Sequence, residues 1–261
     1  MTRSKVPEIT ALFWIVKVLT TGMGETTSDY FVLNFDPIIA VLVGFVVFVA
    51  ALALQFATKR YIPAVYWFTV AMVSVFGTMA ADVTHIVLGV PYFASTGAFA
   101  VALAAVFIAW YRVEGTLSIH SITSRRREAF YWATVLVTFA LGTAVGDLTA
   151  TTLHLGYFAS GIVFAVVITI PALAFRLFSL NAVVAFWFAY IVTRPLGASF
   201  ADWIGVSTAR GGLAWGTGPV SLALAAIIVV LVVILSARAR SEELSPRLGF
   251  TVDGDLRESR D

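Results

Sequence analysis

Carboxylates recur at a fixed spacing along this otherwise apolar chain. A tryptophan, a glycine ten residues later and an aspartate five residues after the glycine occur together four times, in the pattern W-x9-G-x4-D. The tryptophans are Trp14, Trp67, Trp132 and Trp187, the glycines are Gly24, Gly77, Gly142 and Gly197, and the aspartates are Asp29, Asp82, Asp147 and Asp202. Three residue types placed by chance would not keep the same spacing four times, so this pattern predicts four internal repeats of one structural unit.

The chemistry that these carboxylates could support is cation binding. Glu25 and the four aspartates give five carboxylates, and only Lys17 and Arg194 oppose them in the same segments. Like charges gathered in a low dielectric cannot all stay ionised, so protons or a bound cation must compensate. Glu25 and Asp29 offer oxygen ligands one helical turn apart, which suits a hard or borderline divalent ion. The alternative is structural, with the aspartates capping helix ends or bonding polar neighbours at the membrane surface.

Other polar residues accompany the aspartates and are candidate accessory groups. On the same helical face, four positions before each aspartate, stand Glu25, Thr78, Thr143 and Ala198. His85 follows Asp82 by one turn, and His154 follows Asp147 by two turns. Each imidazole is predicted as a metal ligand or proton carrier, with a hydrogen-bonded packing role as the alternative. The predicted metal ligands are therefore Glu25, Asp29, Asp82, Asp147, His85 and His154, and the cation site as a whole also includes Asp202.

The fourth repeat is atypical because it carries Arg194 seven residues after Trp187, followed by Pro195. A buried arginine needs an anion, so we expect Arg194 to pair with a carboxylate when the cation site is empty. Pro195 indicates either a hinge or a static kink in its helix. Lys17 is expected to snorkel to the aqueous boundary, without a functional role.

The elements that must position these residues are long apolar segments. The chain is 60% hydrophobic and 12% charged with a mean hydropathy of +0.93, whereas soluble domains are roughly 45–50% apolar and about 25% charged. Eight apolar windows lie at about 8–30, 37–57, 63–88, 92–110, 129–155, 157–178, 181–204 and 217–237. They predict an all-α polytopic membrane bundle of eight transmembrane helices, built from four parallel two-helix repeats.

The glycines predict how these helices pack. Gly24, Gly77, Gly142 and Gly197 lack a side chain that would hold neighbours apart, so the first helices of the repeats should pack together in the centre. The second helices should then face lipid. We predict one transmembrane domain at 1–240, with repeats at about 5–60, 61–112, 126–180 and 181–238. Residues 241–261 are predicted to form a disordered cytoplasmic tail.

Charge distribution predicts the orientation. All but three of the 17 Lys and Arg fall on one side of the eight-helix arrangement, and the exceptions are Lys17, Arg194 and Arg210. By the positive-inside rule both termini are cytoplasmic in a multi-pass protein of the cell membrane. Such a basic face indicates topology and contact with anionic lipid, and does not indicate nucleic-acid binding. The N-terminus shows no cleavage signature of a removable signal peptide.

Several runs resemble a known family. They are Lys5-Val6-Pro7-Glu8-Ile9-Thr10, Gly24-Glu25-Thr26, Gly142 to Asp147 and Arg194 to Trp203. Over about residues 5–237 the chain resembles a bacterial family of four-repeat membrane proteins of unknown function. Members of that family are often labelled as membrane-anchored, predicted regulators of a starch-debranching enzyme. The resemblance implies a four-repeat membrane fold and supplies no catalytic residues.

The function expected from the charges is transport or exchange of a cation. A divalent metal such as manganese is the leading substrate, protons are the expected coupling ion, and no resident cofactor is predicted. One alternative is a membrane scaffold or regulatory protein whose carboxylates hold helices together. Another is a cation channel lined by aspartates. An enzyme is not expected, because metalloprotease motifs and nucleophile–histidine pairs are missing and no cysteine is present. The expected partners are the lipid bilayer and the cation, and homo-oligomer formation is left open.

Overall fold

The described chain is a bundle of α-helices. A computed structural model describes residues 4–244. Within this part the helices are α1 (Ala11–Asn34), α2 (Pro37–Ala57), α3 (Pro63–Asp82), α4 (Tyr92–Glu114), α5 (Arg125–Asp147), α6 (Tyr157–Val167), α7 (Thr169–Phe178), α8 (Ala182–Gly205) and α9 (Thr217–Leu244). Since α6 and α7 follow one another with only Ile168 between them, they form one broken rod, and eight long helical rods result.

Seven of these rods are long and apolar enough to cross a membrane. The remaining one, α1, is 24 residues long and carries Lys17, Glu25 and Asp29. Hydrocarbon cannot hydrogen-bond an exposed backbone, so helices of this length and composition are characteristic of membrane proteins. The rods therefore indicate a multi-pass membrane protein.

Four rods form a closed inner ring in the order α1, α3, α5, α8, and α8 returns to α1. At each contact the glycine of one repeat faces the residue three positions before the glycine of the next repeat. The pairs are Gly24 with Ser74, Gly77 with Phe139, Gly142 with Arg194 and Gly197 with Thr21. A Cβ at any of these glycines would overlap its neighbour, so glycine is what lets the ring close. The last pair joins the fourth repeat to the first.

The other rods form an outer layer with the same cyclic order. The second rod of each repeat packs against the first rod of the following repeat: α2 on α3, α4 on α5, α6 with α7 on α8, and α9 on α1. The inner rods around α3, α5 and α8 are 61–67% buried in their most apolar windows, whereas the outer rods are only 11–22% buried. The outer rods present apolar side chains at their surface, for example Leu222 and Val230.

Aromatic side chains repeat this ring at the end where the W-x9-G-x4-D motifs begin. The residue before each tryptophan packs against the tryptophan of the next repeat. The pairs are Phe13 with Trp67, Tyr66 with Trp132, Tyr131 with Trp187 and Phe186 with Trp14, at centroid distances of 5.6, 5.6, 6.1 and 5.6 Å. Aromatic contacts of this kind add about 0.5–1.5 kcal/mol per pair to the burial of the rings. The aromatic layer therefore closes this end of the ring.

Residues 4–6, just before α1, lie at the end of the bundle that carries the aromatic layer. Lys5 donates its backbone N–H to the carbonyl of Ile122 at 3.0 Å, and its ammonium pairs with Glu128 at 2.5 Å. Gln55 donates to the other oxygen of Glu128 at 3.0 Å. Since Glu128 is fully buried, both hydrogen bonds are needed to offset the loss of its hydration.

Both described ends of the bundle lie at this same end. Helix α9 runs antiparallel to α1, because Gly218 near the start of α9 lies beside Tyr30 near the end of α1, while Leu224 lies beside Gly22. The end where α1 begins and α9 ends also carries most of the basic residues, in the connection at 58–62, at the start of α5 and at the ends of α4, α7 and α9.

Three backbone features depart from the eight regular helices predicted. Helices α3 and α5 each continue as a five-residue π-helix, Val83–Val87 and Leu148–Thr152. The sixth segment breaks at Ile168. Helix α9 extends to Leu244, so the prediction of a disordered tail from 241 is wrong for its first four residues, and the rest of that tail lies outside the described residues.

Candidate functional site

The four motif aspartates lie at the end of the inner ring opposite the aromatic layer. Asp82 is the last residue of α3 and Asp147 the last of α5, and each is followed directly by a π-helix. Asp29 and Asp202 lie within the last two turns of α1 and α8. Asp202 is 6% exposed, and the other three are half-buried. The repeated spacing thus places four carboxylates in one layer, open on one side.

Two overlapping groups of acidic and histidine residues occur in this layer. Glu25, Asp147 and Asp202 each bring an oxygen within 4.8 Å of the others, and Asp82, His85 and Asp147 do the same. Two ligands of one divalent ion are at most about 4–5 Å apart, twice a metal–oxygen distance of about 2.0–2.5 Å. Asp202 Oδ1 is buried without a hydrogen-bond partner in the described part of the chain. An unpaired buried oxygen is costly, and a bound cation or proton would satisfy it.

Arg194 lies directly below this layer and is fully buried. Its Nη2 donates to the Glu25 carboxylate, to the Thr78 hydroxyl and, at 2.7 Å, to the Thr143 hydroxyl. Its Nη1 donates to the carbonyl of Thr21 at 3.1 Å. Glu25, Thr78 and Thr143 are the equivalent residues of repeats one, two and three. Hence one guanidinium in the fourth repeat binds the same position in all the others.

Glu25 keeps one oxygen for another partner. Both of its hydrogen bonds with the described residues, from Arg194 and from Thr78 at 3.4 Å, end on Oε2. Thr78 accepts from Arg194, and its one hydroxyl proton has the Ser74 carbonyl at 3.0 Å as a closer acceptor than Glu25. Glu25 Oε1 remains available to a cation while Arg194 holds Oε2.

His85 and His154, which the sequence suggests as equivalent, have different surroundings. His85 is 9% exposed and lies in the π-helix Val83–Val87, where its Nε2 is 2.6 Å from the Ser95 hydroxyl and its ring lies 4.1 Å from that of Tyr92. His154 is exposed and has a positive φ of 56°. It stands 22 residues after Trp132, where the second repeat has Gly89, also with positive φ. His154 thus fills a turn position and belongs to neither group.

The position of Lys17 differs from the snorkelling position predicted from the sequence. Instead of extending to the boundary it is 1% exposed, with its ammonium over the rings of Phe139 and Tyr190 at 4.1 and 4.3 Å. A desolvated contact of this kind contributes about 2 kcal/mol. The snorkelling expectation is wrong because Lys17 points into the ring rather than outward. With Phe139, Tyr190 and Arg194, it fills the ring axis between the aromatic layer and the carboxylates.

Arg210 and Tyr157 lie beside the open end of the carboxylate layer. Arg210, in the short turn Thr208–Arg210, donates to the Tyr157 hydroxyl at 2.5 Å. Partial burial acts to lower the pKa of Arg210, but Tyr157, Asp29 and Asp202 outweigh it and the pKa is raised. Arg210 therefore remains a cation at the entrance to a negative site.

Asp29 belongs to neither group of potential ligands, although the sequence places it equivalently to the other three aspartates. Ser28 donates to Asp82 Oδ2 at 3.4 Å, and sequence reasoning missed this residue, together with Ser95 and Tyr157. A signal for the last two existed. Tyr92-Phe93-Ala94-Ser95 recurs as Tyr157-Phe158-Ala159-Ser160, which places these polar groups at the start of two outer helices.

Comparison with known proteins identifies a family of unknown function. Neither a curated protein nor a solved structure matches the chain. One family model, described as a Repeat of Unknown Function (DUF347), matches four times, at residues 12–61, 65–116, 130–179 and 185–241. These four matches coincide with the repeats seen in sequence and structure and cover most of the chain. The protein therefore belongs to the DUF347 repeat family.

Proposed function

We infer that this protein transports or exchanges a cation, with a divalent metal such as manganese as the substrate and protons as the coupling ion. The observation that carries this proposal is the group of Glu25, Asp147 and Asp202, whose oxygens lie within 4.8 Å of one another. One buried guanidinium, that of Arg194, is the nearest compensation. Three carboxylates around one cation-sized space favour a divalent ion over a neutral substrate.

The proposed arrangement in the membrane follows from the charges. All eight rods cross the cell membrane, including the more polar α1, whose ionisable side chains point into the ring. The basic end, with the aromatic layer, is cytoplasmic and carries both termini. The carboxylate layer then opens to the outside, and its entrance lies beside Arg210.

The filled axis supports a transporter over an open channel. Phe139, Tyr190, Lys17 and Arg194 are at most 1% exposed, and they lie on the path from the carboxylates to the cytoplasmic end. A cation bound at the carboxylates must displace part of this packing to proceed. Transport then needs a conformational change that exposes the site to each side in turn. The ion pair between Arg194 and Glu25 is the contact that such a change would break and re-form.

Metal uptake into proteoliposomes tests this function. Wild-type protein should take up Mn²⁺ faster when the lumen is more acidic, while Asp147→Asn should reduce the uptake to the level of empty liposomes. The matched control is Asp36→Asn. Asp36 is an exposed N-cap of α2 whose side chain accepts from Ile38 N and Ile39 N, and asparagine caps a helix equally well. This control should transport like the wild type.

Proton release gives an independent measurement. Ligands must lose their protons to bind a metal, so Mn²⁺ added to protein in weakly buffered detergent should acidify the medium. Asp147→Asn should release fewer protons. Wild-type uptake by folded Asp147→Asn protein would contradict the transport site, and no uptake by the wild-type protein would favour the scaffold. Uptake without proton release would contradict the exchange mechanism.

A further inference from the structure

Asp147 is shared by the two groups of potential ligands, and no other residue is. One group adds Asp82 and His85, and the other adds Glu25 and Asp202. Asp147 has two carboxylate oxygens, and a carboxylate can bridge two ions about 3.5–4 Å apart, as in two-metal sites. The overlap of the groups is therefore compatible with two ions side by side.

The hydrogen bonding of His85, the histidine of the first group, is that of a metal ligand. Ser95 engages His85 Nε2 at 2.6 Å, while Nδ1 is buried and has no hydrogen-bond partner among the described residues. Metal-binding histidines usually have the second ring nitrogen held in this way, which fixes the ring orientation. Ser95 itself is held by α4, because its hydroxyl also donates to the carbonyl of Tyr92 at 3.1 Å. The free nitrogen is thus an observation independent of the acidic residues.

The second group has its own unpaired atoms. Asp202 Oδ1 is buried without a partner in the part of the chain that the structure describes. Glu25 Oε1 lies opposite the oxygen that Arg194 holds. Glu25 precedes the aspartate of its repeat by four residues, whereas His85 follows its aspartate by three, so their backbones are about 10 Å apart along the helices at a rise of 1.5 Å per residue. Their side chains nevertheless both reach Asp147, one from each side of the aspartate layer.

From these contacts we propose that the protein holds two divalent transition-metal ions in adjacent subsites that share Asp147. The outer subsite consists of Asp82, His85 and Asp147, and the inner subsite consists of Glu25, Asp147 and Asp202. The imidazole makes the outer subsite select a transition metal such as Mn²⁺ over Mg²⁺ or Ca²⁺, which prefer oxygen alone. This inference rests on the proposed cation transport and adds its stoichiometry and its selectivity.

Electron paramagnetic resonance of Mn²⁺ with the purified full chain tests the two subsites. Titration should give two bound Mn²⁺ per chain, with the broadened, exchange-coupled signal of a close pair. His85→Gln should leave one bound Mn²⁺ with an uncoupled signal, and Asp202→Asn should do the same. Ser95→Ala should weaken the outer subsite by about 10–100-fold, the usual effect of losing a ligand's supporting hydrogen bond. His154→Asn is the control, and should retain the coupled pair.

The outcomes separate this inference from the transport proposal. One Mn²⁺ per wild-type chain, unchanged in His85→Gln, would overturn the two subsites even if uptake still depended on Asp147. Two uncoupled ions would also overturn the shared ligand. No bound Mn²⁺ together with no uptake would overturn both proposals. Ser95→Ala leaves all ligands in place, so it provides the test if His85→Gln fails to fold.

Discussion

Arg194 occurs in only one of the four repeats, yet its side chain binds the equivalent position in each of the other three. In the other repeats its position holds Thr21, Ser74 and Phe139. The long side chain of Arg194 reaches across the axis to Glu25, Thr78 and Thr143. A buried ion pair often adds little net stability, because desolvation offsets its attraction, yet losing one partner is costly. The role of Arg194 should therefore be visible as an energetic coupling to Glu25.

Arg194→Ala should lower the free energy of unfolding by roughly 3–5 kcal/mol, since it leaves the Glu25 carboxylate buried and uncompensated. Adding Glu25→Gln should recover at least about 1 kcal/mol, because an amide is cheaper to bury than a charge. Thermal unfolding in detergent, followed by tryptophan fluorescence, measures both. Arg176→Ala, at an exposed position on α7, should change the stability by less than about 0.5 kcal/mol. Equal stability of the single and double variants would show that this pair is not coupled.

Helix contacts in the inner ring depend on the absence of four side chains. The motif glycines face side chains of the next repeat, whereas Gly97 in the outer helix α4 has no neighbouring atom within 4 Å of a built Cβ. Both kinds of glycine lie in apolar helices, so hydropathy alone does not distinguish them. The fixed spacing to tryptophan and aspartate is the feature that does.

Alanine at these glycines should therefore have opposite effects. Gly24→Ala and Gly197→Ala should lose about 1–3 kcal/mol of stability by overpacking, because an added Cβ would overlap Ser74 or Thr21 and nearby backbone. Gly97→Ala should gain about 0.5–1 kcal/mol from helix propensity. The same thermal unfolding measurement ranks the three variants. Destabilisation by Gly97→Ala as large as that by Gly24→Ala would contradict the ring contacts.

The two π-helices are secondary-structure elements that could not be predicted from the sequence. Hydropathy and the repeats correctly give helices through Asp82 and Asp147, but a single extra backbone residue per turn leaves no trace in composition. The π-helix after Asp82 places His85 against Ser95. The second π-helix ends before His154, which lies in the turn that follows it and has a positive φ. The sequence therefore suggests two equivalent histidines, and only backbone geometry separates the candidate ligand from the turn residue. π-Helical turns are common at functional sites, which agrees with their position after the carboxylates.

At the scale of the whole molecule, cyclic order is the part that the sequence could not supply. The repeated motif predicts four units, and the glycines predict that their first helices meet, but neither says which unit neighbours which. Closure of the ring depends on contacts such as Gly197 with Thr21 and Phe186 with Trp14, which join the fourth repeat to the first. Lys17 shows the same limit, since hydropathy places it near a helix end and only the assembled ring encloses it.

The orientation in the membrane can be tested with cysteines, because the natural chain has none. His120 is exposed in the connection between α4 and α5, at the end where α1 begins, and Thr208 is exposed in the connection between α8 and α9, at the opposite end. The basic residues favour a cytoplasmic location for the first end. Thr208→Cys should therefore react with a membrane-impermeant maleimide in intact spheroplasts, and His120→Cys should react only after the membrane is permeabilised. The cysteine-free wild type gives the background. Reversed labelling would show the opposite orientation, with the carboxylate layer facing the cytoplasm. Labelling of both sites in intact spheroplasts would contradict the eight-helix arrangement itself.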